Sequence, residues 1–292
     1  ITQGEKAAIS GGSAGAHFIK SGAGELVLTA KNTFLGDVQV DAGVLRLGNG
    51  SAREQDGNVK TSLSGNTNTN VNLAEGATFA VDFSDDFTLS AIVGTGKIAG
   101  ANQATATHFA KAGDGVMTID TNVLDTQYVA VNDGRLIVKG DADLVWSGAV
   151  TPSETTTAED LTNVQVADGA ILEVGYESGN YNLNYNLTGA GSFEKTGEST
   201  VHLVGGYTYT LGGTVTVKNG EIVVESDARP GSAGAIRVGG EANKTAMLTL
   251  QGHAQPGAQT ILGYEAGANS TSILNINGSV YETGDLTRQR QA

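Results

Sequence analysis

Residues 17–28 read His17-Phe18-Ile19-Lys20-Ser21-Gly22-Ala23-Gly24-Glu25-Leu26-Val27-Leu28, and the phrase returns twice. Its second copy is His108-Phe109-Ala110-Lys111-Ala112-Gly113-Asp114-Gly115, followed by Val116-Met117-Thr118-Ile119. The third is Ser192-Phe193-Glu194-Lys195-Thr196-Gly197-Glu198-Ser199, followed by Val201-His202-Leu203-Val204. Some twenty residues later each copy reaches a turn and another β-rich run. These runs are Asp41-Ala42-Gly43-Val44-Leu45-Arg46-Leu47, Asn132-Asp133-Gly134-Arg135-Leu136-Ile137-Val138 and Lys218-Asn219-Gly220-Glu221-Ile222-Val223-Val224. Phe18 to Phe109 is 91 residues, and Phe109 to Phe193 is 84. Recurrence of this kind marks a stacked array in which each repeat buries its apolar face on the next.

Within each copy, apolar residues alternate with polar ones, and Gly, Asn or Asp bounds the runs. That is a strand-turn-strand pattern, with glycine free to take the positive φ of a corner. Shorter echoes, such as 71–81 with 164–174, fill the gaps. The long repeat therefore predicts about four coils, each about 22 residues. Lys20, Lys111 and Lys195 are expected at equivalent positions beside glycine corners, in a structural role. Leu26, Leu28, Leu45, Leu47, Leu136, Val138, Leu172, Val174, Ile222 and Val224 are expected to point inward.

Composition agrees with an elongated all-β solenoid. The chain has 292 residues with 42 Gly, 3 Pro and 5% aromatics, and no ten-residue stretch has helical periodicity. A narrow column of Val, Leu, Ile and Ala needs little aromatic bulk. The net charge is −14, from 17 basic and 31 acidic residues. This disfavours nucleic acid and anionic membrane as partners, because both attract basic surfaces. Cysteine is absent, which removes disulfides and thiol chemistry. No run of 18 apolar residues is present to span a membrane as a helix. The chain begins at Ile1 close to its first repeat and is expected to be a segment of a longer protein, with 1–292 one solenoid and a polar insertion around 141–163.

Residues 15–47 resemble the autotransporter-associated β-strand repeat of Gram-negative passenger domains. The family phrase is Lys-x-Gly-x-Gly-x-Leu-x-Leu, an Asn-Thr-aromatic step, a Gly, then Val-x-x-Gly-x-Leu-x-Val. Lys20, Gly22, Gly24, Leu26, Leu28, Asn32, Thr33, Phe34, Gly36, Val40, Gly43, Leu45 and Leu47 fall on it. The later copies are degenerate; the third has Ser199 in place of the second glycine. The resemblance implies a right-handed parallel β-helix, exported to the cell surface or secreted. It also implies a C-terminal outer-membrane barrel in the full-length protein.

Candidate chemistry is sparse. Gly11-Gly12-Ser13-Ala14-Gly15 matches the G-x-S-x-G nucleophile elbow, but a β-run follows where that motif needs a helix, so a turn is expected. His17 and His108 share a repeat position that the third copy fills with Ser192, which makes them structural. No histidine pair has metal-ligand spacing, and no cofactor is expected. Asp82, Asp85 and Asp86 form the densest acidic cluster, read as a solvated turn. A β-helical polysaccharide-cleaving enzyme would add basic residues to such acids, and these are few. Candidate contact residues are Trp146, Tyr176, Tyr181, Tyr185, Tyr207 and Tyr209, since tyrosine joins a large area to a polar tip. Tyr207 and Tyr209 are expected to share one exposed strand face, although a tyrosine stack capping a coil is the competing account of the cluster. The polar stretch 141–163, with 151–157 at its centre, is expected either to protrude as a loop that carries binding residues or to be a tolerated insertion. Together these features predict a non-enzymatic passenger acting as an adhesin or self-association factor. Its partner would be a host or bacterial cell-surface protein or glycan, or another copy. A structural stalk, a toxin passenger and a β-helical enzyme are the alternatives.

Overall fold

The computed structural model describes residues 1–4, 7–13, 16–55, 59–60, 70–89, 92–93, 107–120, 124–144, 149, 151–157, 160–226, 228, 234–254, 259–278 and 286–288. Among these the chain is a β-solenoid of parallel strands, in about nine coils, without a helix. Residues group into two compact units. The first holds Ile1–Leu136, Asp141–Thr151 and Thr157–Asn163; the second holds Ile137–Gly140, Pro152–Thr156 and Val164–Ala292.

The strands of the first unit are β1 (Phe18–Lys20), β2 (Glu25–Leu28), β3 (Val38–Val40), β4 (Val44–Gly48), β5 (Glu54–Gln55), β6 (Val59–Lys60), β7 (Asn70–Leu73), β8 (Thr78–Asp82), β9 (Phe87–Thr88), β10 (Ile92–Val93), β11 (His108–Ala112), β12 (Val116–Ile119) and β13 (Tyr128–Val131). One sheet runs β1-β3-β7-β10, a second runs β2-β4-β8-β11-β13, and β12 pairs with β9. These pairings are parallel, while β5 and β6 form a small antiparallel hairpin. Registers align side chains into columns. Leu26 pairs with Leu45, Leu45 with Phe79, Phe79 with Phe109, and Phe109 with Val129. All but Leu26, which is half-buried, are shielded from solvent. Each such side chain contributes roughly 2 kcal/mol on leaving water.

Two further strands follow, β14 (Arg135–Val138) and β15 (Thr162–Val166). The second unit contains β16 (Ile171–Val174), β17 (Asn180–Leu183), β18 (Tyr185–Gly189), β19 (Ser192–Lys195), β20 (Thr200–Leu203), β21 (Tyr209–Leu211), β22 (Val215–Val217), β23 (Gly220–Val224), β24 (Ile236–Val238), β25 (Thr245–Gln251), β26 (Thr260–Leu262), β27 (Thr271–Asn277) and β28 (Leu286–Arg288). Here β18 pairs with β21, one sheet runs β16-β19-β22-β24-β26-β28, and another runs β17-β20-β23-β25-β27. Inward columns repeat the same logic: Leu183 pairs with Leu203, Leu203 with Val224, and Val224 with Leu250. Of the ten residues expected inside, nine are buried and Leu26 is half-buried.

The long repeat differs from the expected four coils. From β2 the second sheet passes through β4 and β8 to β11, three coils on. Lys20 ends β1 in the first sheet, whereas Lys111 lies on β11 in the second. The first-to-second spacing is therefore three coils and one face. These coils are uneven: Leu26 to Leu45 spans 19 residues, Leu45 to Phe79 34 and Phe79 to Phe109 30, and the β5–β6 hairpin lies within the longest.

Candidate interaction surface

The repeat phrase builds one local object three times. Lysine ends or nearly ends a strand with its side chain inward, and Lys20, Lys111 and Lys195 are 6%, 2% and 0% exposed. The Lys20 Nζ donates to Ser21 O at 3.3 Å, Gly22 O at 2.6 Å and Ala42 O at 2.7 Å. The Lys111 Nζ donates to Ala112 O at 3.5 Å, Gly113 O at 2.5 Å and Asp133 O at 2.8 Å. The Lys195 Nζ donates to Thr196 O at 2.5 Å, Gly197 O at 2.7 Å and Asn219 O at 3.3 Å. The third acceptor lies 22, 22 and 24 residues on, in the turn of the following coil. The two halves of the phrase are thus stacked corners. Burial pushes the Lys111 amine down, and pushes Lys195 down to about 8. The expected equivalence of the lysines holds in local geometry, though Lys20 and Lys111 belong to different sheets.

The tyrosines divide. Tyr176 and Tyr181 stack with ring centroids 3.8 Å apart and planes at 17°. Tyr181 sits in register with the fully buried Val201, so it faces the inward column at the first strand of its sheet. Tyr176, Tyr185 and Tyr209 are buried. The Tyr209 hydroxyl lies 2.7 Å from Leu183 O and 3.1 Å from Val204 O, and accepts from Val204 N at 3.1 Å. Burial pushes its phenol far up. The expectation that Tyr207 and Tyr209 share an exposed strand face is corrected: Tyr209 goes inside because backbone groups satisfy its hydroxyl. Tyr207 precedes β21 and is half-buried, with its phenol pushed up by burial. Trp146 lies outside the described residues.

The polar stretch does form a turn. Ser153 N donates to Thr156 Oγ1 at 2.9 Å, and Ser153, Glu154 and Thr155 are exposed. Pro152 sits against Gly206: a Cβ at Gly206 would stand 2.6 Å from the Pro152 Cβ. The fold therefore brings the 152–156 turn beside the corner that carries Tyr207. Sequence spacing alone gives no sign of this juxtaposition.

The remaining candidates resolve as local structure. Ser13 follows two positive-φ glycines, and its carbonyl oxygen accepts from Ala16 N at 2.9 Å. His17 is exposed, while His108 stacks on its register partner Tyr128 at 5.2 Å. Asp82 receives Arg46 at 3.1 Å, and Asp85 receives Arg53 N at 2.8 Å.

A feature missed in sequence is the outward face of the β17–β27 sheet. Register aligns Asn182, His202, Val223, Thr249 and Asn275 in one column. Thr200, Glu221, Met247 and Ile273 align in the next. Glu221 binds both Thr200, at 3.3 Å, and Thr249, at 2.5 Å. Asn275 Nδ2 donates to Thr249 Oγ1 at 3.3 Å, and His202 Nδ1 lies 3.0 Å from Glu225. These cross-strand contacts order the polar members of the columns, while Val223 and Thr249 within them are themselves buried. The signal available in sequence was partial, since Glu221, Thr249 and Asn275 alternate with apolar residues but Val223, Met247 and Ile273 occupy the same face.

Comparison with known proteins adds one finding. Residues 18–47 match the passenger-associated-transport-repeat family. This repeat and the β-solenoid fit a passenger domain of an autotransporter. No curated protein and no solved structure matches the chain.

Proposed function

We propose that the chain is a surface-exposed or secreted autotransporter passenger that mediates adhesion or self-association without catalysis. The observation that carries this reading is the set of polar side chains on the β17–β27 sheet, where Asn182 pairs with His202, Thr200 with Glu221, and Thr249 with Asn275 on neighbouring coils. Many weak contacts to a repetitive cell-surface protein or glycan, or to another copy, would add by avidity. The turn at 152–156 beside Tyr207 supplies a second contact region, as loops on a rigid scaffold commonly do. The repeat family implies an outer-membrane translocator in the full-length protein. A structural stalk presenting another domain is the second reading, favoured by the buried lysine corners.

The test displays the intact protein on cells and compares aggregation and surface binding at equal surface level. Variants are Thr200→Lys with Asn275→Lys, Tyr207→Ala, and deletion of 152–156. Loss in the double lysine variant supports the ladder, and loss in the other two supports the turn. Undiminished adhesion in all variants removes both regions. No adhesion by the intact protein leaves the stalk as the better account.

A further inference from the structure

A parallel ladder cannot continue through a corner, because the chain there no longer lies beside its neighbour in strand geometry. The corner carbonyls still need donors. At the first copy the ladder closes on either side of the bend: Asp41 N donates to Lys20 O at 2.8 Å, and Val44 N to Gly24 O at 3.4 Å. At the second, Asn132 N donates to Lys111 O at 2.8 Å and Arg135 N to Gly115 O at 3.4 Å. At the third, Lys218 N donates to Lys195 O at 2.9 Å and Glu221 N to Ser199 O at 3.1 Å. Between each pair of bonds lie the two carbonyls that the ammonium takes, together with one from the corner of the next coil. The glycine two residues past the lysine has φ of 77°, 76° and 70° in the three copies. An ammonium carries three N–H donors, matching three carbonyls, and its four-carbon stem fills the column as an aliphatic residue would.

We propose that Lys20, Lys111 and Lys195 are corner clamps. Each single ammonium replaces the interstrand hydrogen bonds that a bend cannot make and locks the corner of its own coil to the corner above. The clamp needs the lysine, the positive-φ glycine, and the turn one coil later. Those are the three parts the repeat phrase preserves in every copy, including the third, which has Ser199 in place of the second glycine. The phrase is accordingly a two-coil locking unit.

The test is amide hydrogen exchange on Lys111→Met and Lys20→Met, with Val131→Ala as control. Methionine keeps the apolar stem and removes the donors. The clamp predicts that Asn132 in the first variant, and Asp41 in the second, exchange faster by roughly tenfold or more. Amides along the adjoining strands should change less. Val131→Ala leaves the ammonium in place, so its acceleration should spread along β13 and not centre on Asn132. Lys20 lies in the first coil of its sheet, so its variant tests the clamp even if Lys111→Met does not fold. Unchanged exchange at Asp41 in Lys20→Met, or a Lys111→Met pattern matching that of Val131→Ala, would reduce the lysines to space fillers and overturn the proposal.

Discussion

The corner at Lys20 and the corners at Lys111 and Lys195 have the same bonds but different surroundings. Around the first, a Cβ added at Gly22 or Gly24 would meet nothing within 4 Å. Around the second, a Cβ at Gly113 would stand 2.4 Å from Phe83 O, and one at Gly115 2.4 Å from Asp85 O. In the third, Gly197 would place its Cβ 2.2 Å from Tyr176 O, yet Ser199 occupies the second glycine position, buried. The copy that best follows the family phrase is thus the least crowded. The first glycine is required everywhere by its positive φ, while the second depends on what the preceding coil places beneath it. Match to the repeat phrase and local steric demand are separate properties of the same residues.

Substitutions should separate them, beginning with the largest effect. Gly113→Val meets both the clash and the left-handed backbone and should cost about 3 kcal/mol or more, whereas Gly22→Ala meets only the backbone and should cost about 1 kcal/mol. Urea midpoints at constant m-value give both numbers. Equal losses would mean that neighbouring coils do not set the cost.

Lys195→Met should lose about 3 kcal/mol, because three buried carbonyls lose their donor, and Lys20→Met about 1 kcal/mol at the more open corner. The same titrations compare them. A Lys195→Met protein more stable than the parent would show that desolvating the charge outweighs its bonds.

The two kinds of corner were unequally legible. Strand-turn-strand units, inward columns and the lysine equivalence followed from alternation and from repeated Lys-x-Gly, because those patterns express local backbone geometry. The path between copies did not, since the β5–β6 hairpin lengthens its coil without altering the motif. The tyrosines were half legible. Their clustering marked a real feature, the Tyr176–Tyr181 stack. Burial of Tyr209 depended on acceptors at Leu183 and Val204, which only the fold brings to its hydroxyl. Likewise Pro152 and Gly206 are far apart in sequence and adjacent in space.

Acidity gives a further contrast. Burial lowers Lys195 from 10.5 to about 8, so between those values the unfolded chain binds more protons than the folded one. Stability of the parent should therefore rise with pH across this window relative to Lys195→Met, by at most about 1.4 kcal/mol per pH unit. Paired urea titrations at pH 7, 9 and 10 check the sign, and a difference that shrinks with pH would contradict it. The smallest effect concerns Ser199. Its buried hydroxyl has no hydrogen-bond partner among the described residues, so Ser199→Ala should leave stability unchanged or raise it by under about 1 kcal/mol. A clear loss in thermal unfolding would reveal a bond to that oxygen.

The clamp itself is most directly seen by lysine-selective ¹⁵N NMR near pH 6, where exposed ammonium protons exchange too fast to persist. The account predicts persistent ammonium signals from Lys20, Lys111 and Lys195, each assigned by its disappearance in the corresponding Lys→Met variant. Lys20, with most exposure of the three, should exchange fastest. Fast exchange at all three lysines, indistinguishable from that of the exposed ones, would contradict the buried corner clamp.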